Sequence, residues 1–195
     1  PGATKAYEGD PNTRPTPDEA ALQIGIGHDG MWFYPMDPEL AQVNPRLASR
    51  QGMLCINHEL GRNSHVLGKS APESLDDVRV SQHAHGVSVV AIEETRRNGW
   101  EVIDSRNSRR IHVNTPMEFT GPAASSSSLD NEAGNTPLGT VNNCGSGPTP
   151  WGTYLTCEEN FNGYFGWTDE SYVPNESQQR YGFSSGGFGY GWHLF

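Results

Sequence analysis

The densest chemistry in the 195-residue chain lies between Asn142 and Asn160, where Cys144 precedes the acidic pair Glu158-Glu159. Adjacent carboxylates at a strand end repel one another unless a proton or a cation bridges them, and hard oxygen donors of this kind suit calcium. A solvated acidic corner is the plain alternative. Cys144 itself falls in Asn142-Asn143-Cys144-Gly145-Ser146-Gly147-Pro148-Thr149-Pro150-Trp151-Gly152. We read this as a tightly punctuated loop that can present a soft thiolate to a metal. Its rivals are a buried structural cysteine and a Cys144–Cys157 disulfide. A third cluster, Asn57-His58-Glu59, offers an amide oxygen, an imidazole and a carboxylate at the end of another strand.

Other motifs carry less. His83-Ala84-His85 places two imidazoles on one face if the segment is a strand, which invites a zinc reading. No CxxC or HExxH partner accompanies it, so structural histidines are the expectation. Gly25-Ile26-Gly27-His28-Asp29-Gly30 matches the dinucleotide-binding glycine pattern in form, but the strand-like Met31-Trp32-Phe33-Tyr34-Pro35 follows where a helix is required. Gly186-Gly187-Phe188-Gly189-Tyr190-Gly191 lacks the Lys-Ser/Thr of a P-loop and reads as an aromatic loop. No Gly-x-Ser-x-Gly elbow is present.

The elements that must position these groups are mainly strands. Short apolar runs occupy 31–34, 52–57, 86–93, 100–104, 110–113 and 152–157, and Arg97-Asn98-Gly99 predicts a hairpin between the third and fourth. Ser125 to Ser128 reads as an exposed loop. Thr16-Pro17-Asp18-Glu19 predicts one helical turn with Thr at the N-cap, Pro at N1 and Glu at N3. One internal echo stands out. Gly52 to Glu59 and Gly152 to Glu159 each run from a glycine through a short strand to a glutamate, 100 residues apart. Blades of about 40–50 residues would make that two blades of a propeller. Period-2 geometry then puts Cys55, Asn57 and Glu59 on one face, and Leu155, Cys157 and Glu159 on another.

Composition agrees with a turn-rich β domain: 34% hydrophobic residues, 23 glycines and 14 prolines. No apolar run approaches the roughly 18 residues of a membrane span, and Pro1-Gly2-Ala3-Thr4-Lys5 has no signal-peptide core. The net charge of −10 disfavours nucleic acid as a partner. It suits anionic substrates only if some carboxylates hold multivalent cations that reverse the local field.

Several of these segments, taken together, resemble the PhoX-type alkaline phosphatases in order and spacing. They are Asn57-His58-Glu59, His85-Gly86-Val87-Ser88-Val89-Val90, Arg109-Arg110-Ile111, Thr115 to Ala124, and above all Gly139 to Cys144 running on through Thr149 to Phe161. The resemblance extends from about residue 24 to the C-terminus. It implies an all-β, partial β-propeller whose ring is not closed in this fragment, with residues 1–23 as a loose lead-in and 24–195 as the propeller domain. It further implies hydrolysis of small phosphomonoesters with iron and calcium at the propeller axis, and bacterial export to the periplasm or outside, typically by the twin-arginine route. By the same resemblance Cys144 is the thiolate ligand of iron, Glu159, Glu59 and Glu158 are carboxylate ligands, and Cys157 serves packing. Glu158 and Glu159 face opposite ways if the strand persists, which favours Glu159. Family members are longer, so the expectation is that the fragment alone is inactive. The alternative function is a calcium-stabilised propeller module that binds without catalysis, which has no use for sulfur at Cys144.

Overall fold

The computed structural model describes residues 11–130, 134, 136–167 and 171–185. The expected aromatic loop at 186–191 lies outside them. Helices are short. Thr16 caps α1 (Pro17–Leu22) through a complete capping box: its Oγ1 accepts the Glu19 N–H at 3.3 Å, and Glu19 Oε2 accepts the Thr16 N–H at 2.9 Å. Helices α2 (Pro38–Val43) and α3 (Pro45–Ala48) each begin with Pro behind an Asp37 or Asn44 cap. Then come α4 (Asn63–Val66), α5 (Leu75–His83) and α6 (Glu176–Arg180). Helix α1 packs on α5 through Ala20, Leu67 and Val80.

Most of the architecture is antiparallel β-structure. Strands β1 (His28–Pro35), β2 (Gln51–His58), β3 (Gly86–Thr95) and β4 (Gly99–Val102) pair in sequence order, and β5 (Arg109–Ile111) shares the outer edge of β3 with β4. The β3–β4 hairpin turns through Arg96-Arg97-Asn98 into Gly99, which pairs with Thr95 and has φ +74°, a left-handed backbone that glycine adopts freely. A second sheet, β6 (Asn143–Pro148) with β7 (Tyr154–Glu158), packs on the β1 side. A short parallel pair, β8 (Gly166–Trp167) with β9 (Ser184–Ser185), follows. No barrel closes among the described residues, and no described helix is long and apolar enough to cross a membrane.

The two faces of the large sheet differ. Tyr34, Met53, Cys55, Val87, Val89 and Ile111 line a wide groove of about 950 Å³. In the register of the other face Ser88 sits beside Arg110, and the buried His58 ring bonds Ser88 Oγ at 2.7 Å. Arg110 donates to Ser88 Oγ and to the His83 and His85 carbonyls.

Three expectations need correction, while the exposed loop expected at Ser125 to Ser128 holds. His83 ends helix α5, and His85 lies beyond it before β3 begins; the pair is not on a strand. The segment read as a loop at Asn142 to Gly152 is mostly strand β6, with the turn confined to its end. Cys157, expected to pack, is exposed. Ser127–Leu129 forms a 3₁₀ turn capped by the Ser126 hydroxyl within the expected loop.

Candidate metal centre

Two β-bulges and one strand end build the site. Between His28 and Met31, β1 gains one residue on β2, because His28 pairs with His58 and Met31 with Ile56. Between Asn143 and Ser146, β6 gains one residue on β7 in the same way. Asp29 and Gly30 together oppose Asn57 in one case, and Cys144 and Gly145 together oppose Cys157 in the other. A bulge bends its strand and re-aims a side chain out of the regular alternation. Here it turns Asp29 and Cys144 toward Glu59, which stands just past β2 with its N–H bonded to Gly27 O at 2.8 Å.

Close backbone contact joins the two bulges. A Cβ on Gly30 would lie 2.3 Å from Ser146 Oγ and 2.7 Å from Cys144 O, so only glycine lets β1 approach β6 this far. The potential ligand atoms of Asp29, Glu59 and Cys144 all lie within 4.8 Å of one another. Asp29 is exposed, and Glu59 and Cys144 are half-buried.

Electrostatics at this point is strained in a way a cation relieves. The Asp29 and Glu159 carboxylates, both bonded to the thiol, push Cys144 up to about 12. Partial burial, with Asp29 and Glu159 nearby, also raises Glu59 above the usual carboxylate range. The two shifts share one contribution: negative charge on Asp29 and Glu159 disfavours more of it, added to burial at Glu59 and to the carboxylate hydrogen bonds at Cys144. A multivalent cation reverses the sign of both effects.

Of the residues singled out in the sequence, Cys144 and Glu59 therefore come together, and Glu159 interacts with both. Glu158 turns elsewhere: its Oε1 accepts from Thr140 Oγ1 at 2.8 Å and from the Val141 N–H at 3.0 Å. It ties β7 to the segment entering β6. Cys144 and Cys157 are unbridged. Asp29 is the donor that sequence reading missed. Its signal in the sequence is the run of glycines around it, which fails as a nucleotide motif. An acid or thiol directly before glycine, as in Asp29-Gly30 and Cys144-Gly145, is the shared local feature of both bulges.

A sequence profile of the alkaline phosphatase PhoX family matches residues 4–195. The chain belongs to that family. Among solved structures it is similar to the Pseudomonas fluorescens PhoX in complex with vanadate, a transition state analogue, with a TM-score of 0.82 and 34% identity. That match covers 95% of this chain and 31% of the other, so this PhoX chain spans about a third of the length of its solved relative. A search of curated proteins finds no match.

Proposed function

We propose that this PhoX chain carries part of the metal centre of a phosphatase that hydrolyses small phosphomonoesters and releases inorganic phosphate. The observation that carries the reading is the convergence of Asp29, Glu59 and Cys144 at two bulges and a strand end, with Glu159 beside them. The donor set fits cations of two kinds. A cysteine sulfur is a soft ligand of the sort iron accepts, whereas calcium takes carboxylate oxygens. We assign Cys144 to iron and Glu59, Glu159 and Asp29 to the shared cluster. Glu158, expected as a ligand, is better used where its two hydrogen bonds hold it.

When bound, the cations supply Lewis-acid stabilisation of the charge that develops on a phosphoryl group. The chain's own part is positional. The bulges fix the spacing of donors, the Gly30 approach keeps β1 on β6, and the acids repel anions until cations arrive. Vanadate bound by the Pseudomonas fluorescens PhoX supports phosphoryl chemistry as the family reading. On the same reading residues 24–195 form part of a β-propeller, the protein is exported to the periplasm or beyond, and the isolated 195-residue chain lacks turnover. A calcium-stabilised binding module accounts for the acids but leaves the sulfur at the centre of the cluster without a role.

Metal content tests the assignment. The 195-residue chain is incubated with iron and calcium, freed of unbound ions and analysed for both. Iron is expected to be retained, and to fall by about tenfold or more in Cys144→Ala. Calcium retained with no iron in either protein would favour the binding module. Iron retained equally by Cys144→Ala would remove the thiolate ligand and with it the proposal. The matching substitution in a full-length family member should abolish phosphate release.

A further inference from the structure

Two buried asparagines each stand two residues before a clustered donor: Asn57 before Glu59, and Asn142 before Cys144. Their exposures are 0% and 1%. Each side chain reaches across to the other donor. Asn57 Nδ2 donates to the carbonyl oxygen of Cys144 at 2.8 Å. Asn142 Nδ2 donates to the Tyr164 hydroxyl at 2.9 Å and, at a longer 3.4 Å, to the carbonyl oxygen of Glu59, to which Tyr164 also donates at 3.4 Å.

The remaining donors join the same frame. Asn57 Oδ1 accepts from Thr156 Oγ1 at 2.9 Å and from the Tyr154 hydroxyl at 3.0 Å, and that hydroxyl also lies 3.1 Å from the carbonyl of Gly30, next to Asp29. The carbonyl of Asn142 accepts the Glu159 N–H at 2.9 Å. All four donors are thus held by bonds to their own main chain or to that of the adjacent residue. A carboxamide suits the task at Asn57 because it donates on one side and accepts on the other without charge, whereas Asn142 uses its side chain only as a donor. Aspartate at position 57 would lose the donor and add a negative charge beside three acids.

We propose that Asn57 and Asn142 are positioning residues, a reciprocal clamp that sets the spacing of Cys144 and Glu59 on the reading that these two donors hold a shared cation. Bonds to main chain fix where a donor starts, whatever its rotamer, which is how supporting residues tune an ion site. Asn57 is the stronger half because its three bonds are short and it spans β2, β6 and β7.

The test uses the full 195-residue chain and two readouts, in Asn57→Ala and in the milder Tyr154→Phe. The first is the rate at which iodoacetamide alkylates Cys144 in the metal-free chain, read by peptide mass spectrometry against the exposed Cys157 in the same sample. Loss of the three side-chain hydrogen bonds of Asn57, one of them to the Cys144 carbonyl, permits a rise of about tenfold or more in that ratio for Asn57→Ala, with a smaller rise for Tyr154→Phe. The second is cobalt(II) titration followed by thiolate-to-cobalt charge-transfer absorption, where affinity should drop about tenfold in Asn57→Ala. An unchanged Cys144-to-Cys157 ratio in both variants overturns the clamp. So does a ratio that rises only when buried Cys55 becomes reactive too, with Tyr154→Phe unchanged, since that marks general unfolding. A wild-type chain that gives no cobalt–thiolate band would sink the cation reading alone, and the alkylation ratios would still decide the clamp.

Discussion

Gly30 and Gly145 occupy matching places in the two bulges, yet their surroundings differ. A methyl group at Gly30 meets Ser146 Oγ and the Cys144 carbonyl, whereas one at Gly145 meets nothing within 4 Å. The Ser146 hydroxyl can rotate away, but the Cys144 carbonyl is main chain and is already tied to Asn57. Gly30→Ala must therefore push β1 off β6, and overpacking of this kind costs about 1–3 kcal/mol. Because the displaced carbonyl belongs to a donor, iron retention should fall with stability. Gly145→Ala changes the same residue type one bulge away and should leave both nearly unchanged. Urea denaturation of the two variants, with metal content measured beside it, separates close approach from a general need for glycine. Equal effects at both positions would contradict the contact geometry.

At the level of elements, local signals and long-range ones parted company. The α1 start was legible because a capping box is written in four consecutive residues, Thr16 to Glu19, and it forms as read. Thr16→Ala removes both the side-chain acceptor and the reciprocal geometry, so it should cost about 1 kcal/mol in thermal or urea unfolding. Helix α1 lies away from the acids, and metal retention should not change with it. The β3–β4 hairpin was legible for the same reason, its turn residues lying between two β-branched runs. Helix α5 was overlooked although Ser74 with Asp77 three residues on signals a start, and the Ser74 hydroxyl does accept the Asp77 N–H at 3.1 Å. Strand β6 was illegible because its glycines and prolines imitate a turn, and only pairing with β7 makes it extended. The echo between Gly52–Glu59 and Gly152–Glu159 pointed to two acids meeting, and Glu59 and Glu159 do interact. Asp29 could not be found that way. A bulge breaks the period-2 rule from which faces are read, so the glycines around Asp29 mark an irregularity without placing its carboxylate beside Glu59.

Across the whole molecule, the segment before β3, the end of α5 and the residue just past β5 gather His85, His83 and His112 around the Arg110 guanidinium. His85 is fully buried, donates from Nδ1 to Ser81 O and accepts the Gly61 N–H at Nε2, so both nitrogens are committed to the neutral ring. Burial, with the Arg110 guanidinium nearby, lowers it to about 4. His112, which accepts the Asn114 N–H at Nδ1 and lies 4.1 Å from the His83 ring, is lowered to about 4 by burial, His83 and Arg110. His83 is lowered too, chiefly by burial. A histidine held neutral in the fold but free to protonate near 6.5 when unfolded favours the native state fully above that pH. The contribution is lost as pH falls toward 4, because only the unfolded chain takes up the proton. For His85 the loss amounts to roughly 3 kcal/mol across that window. Glu59 acts in the opposite sense: its raised value lets the metal-free fold bind a proton more readily than the unfolded chain, which offsets part of the loss at the acidic end. Bound cations remove that offset by keeping Glu59 ionised. The metal-free chain should therefore lose stability steadily between pH 6.5 and 4, and the metal-loaded chain more steeply at the acidic end. His85→Gln should flatten the slope in both. Urea midpoints at half-unit pH steps measure it, and a slope unaffected by His85→Gln would place the acid sensitivity outside His85.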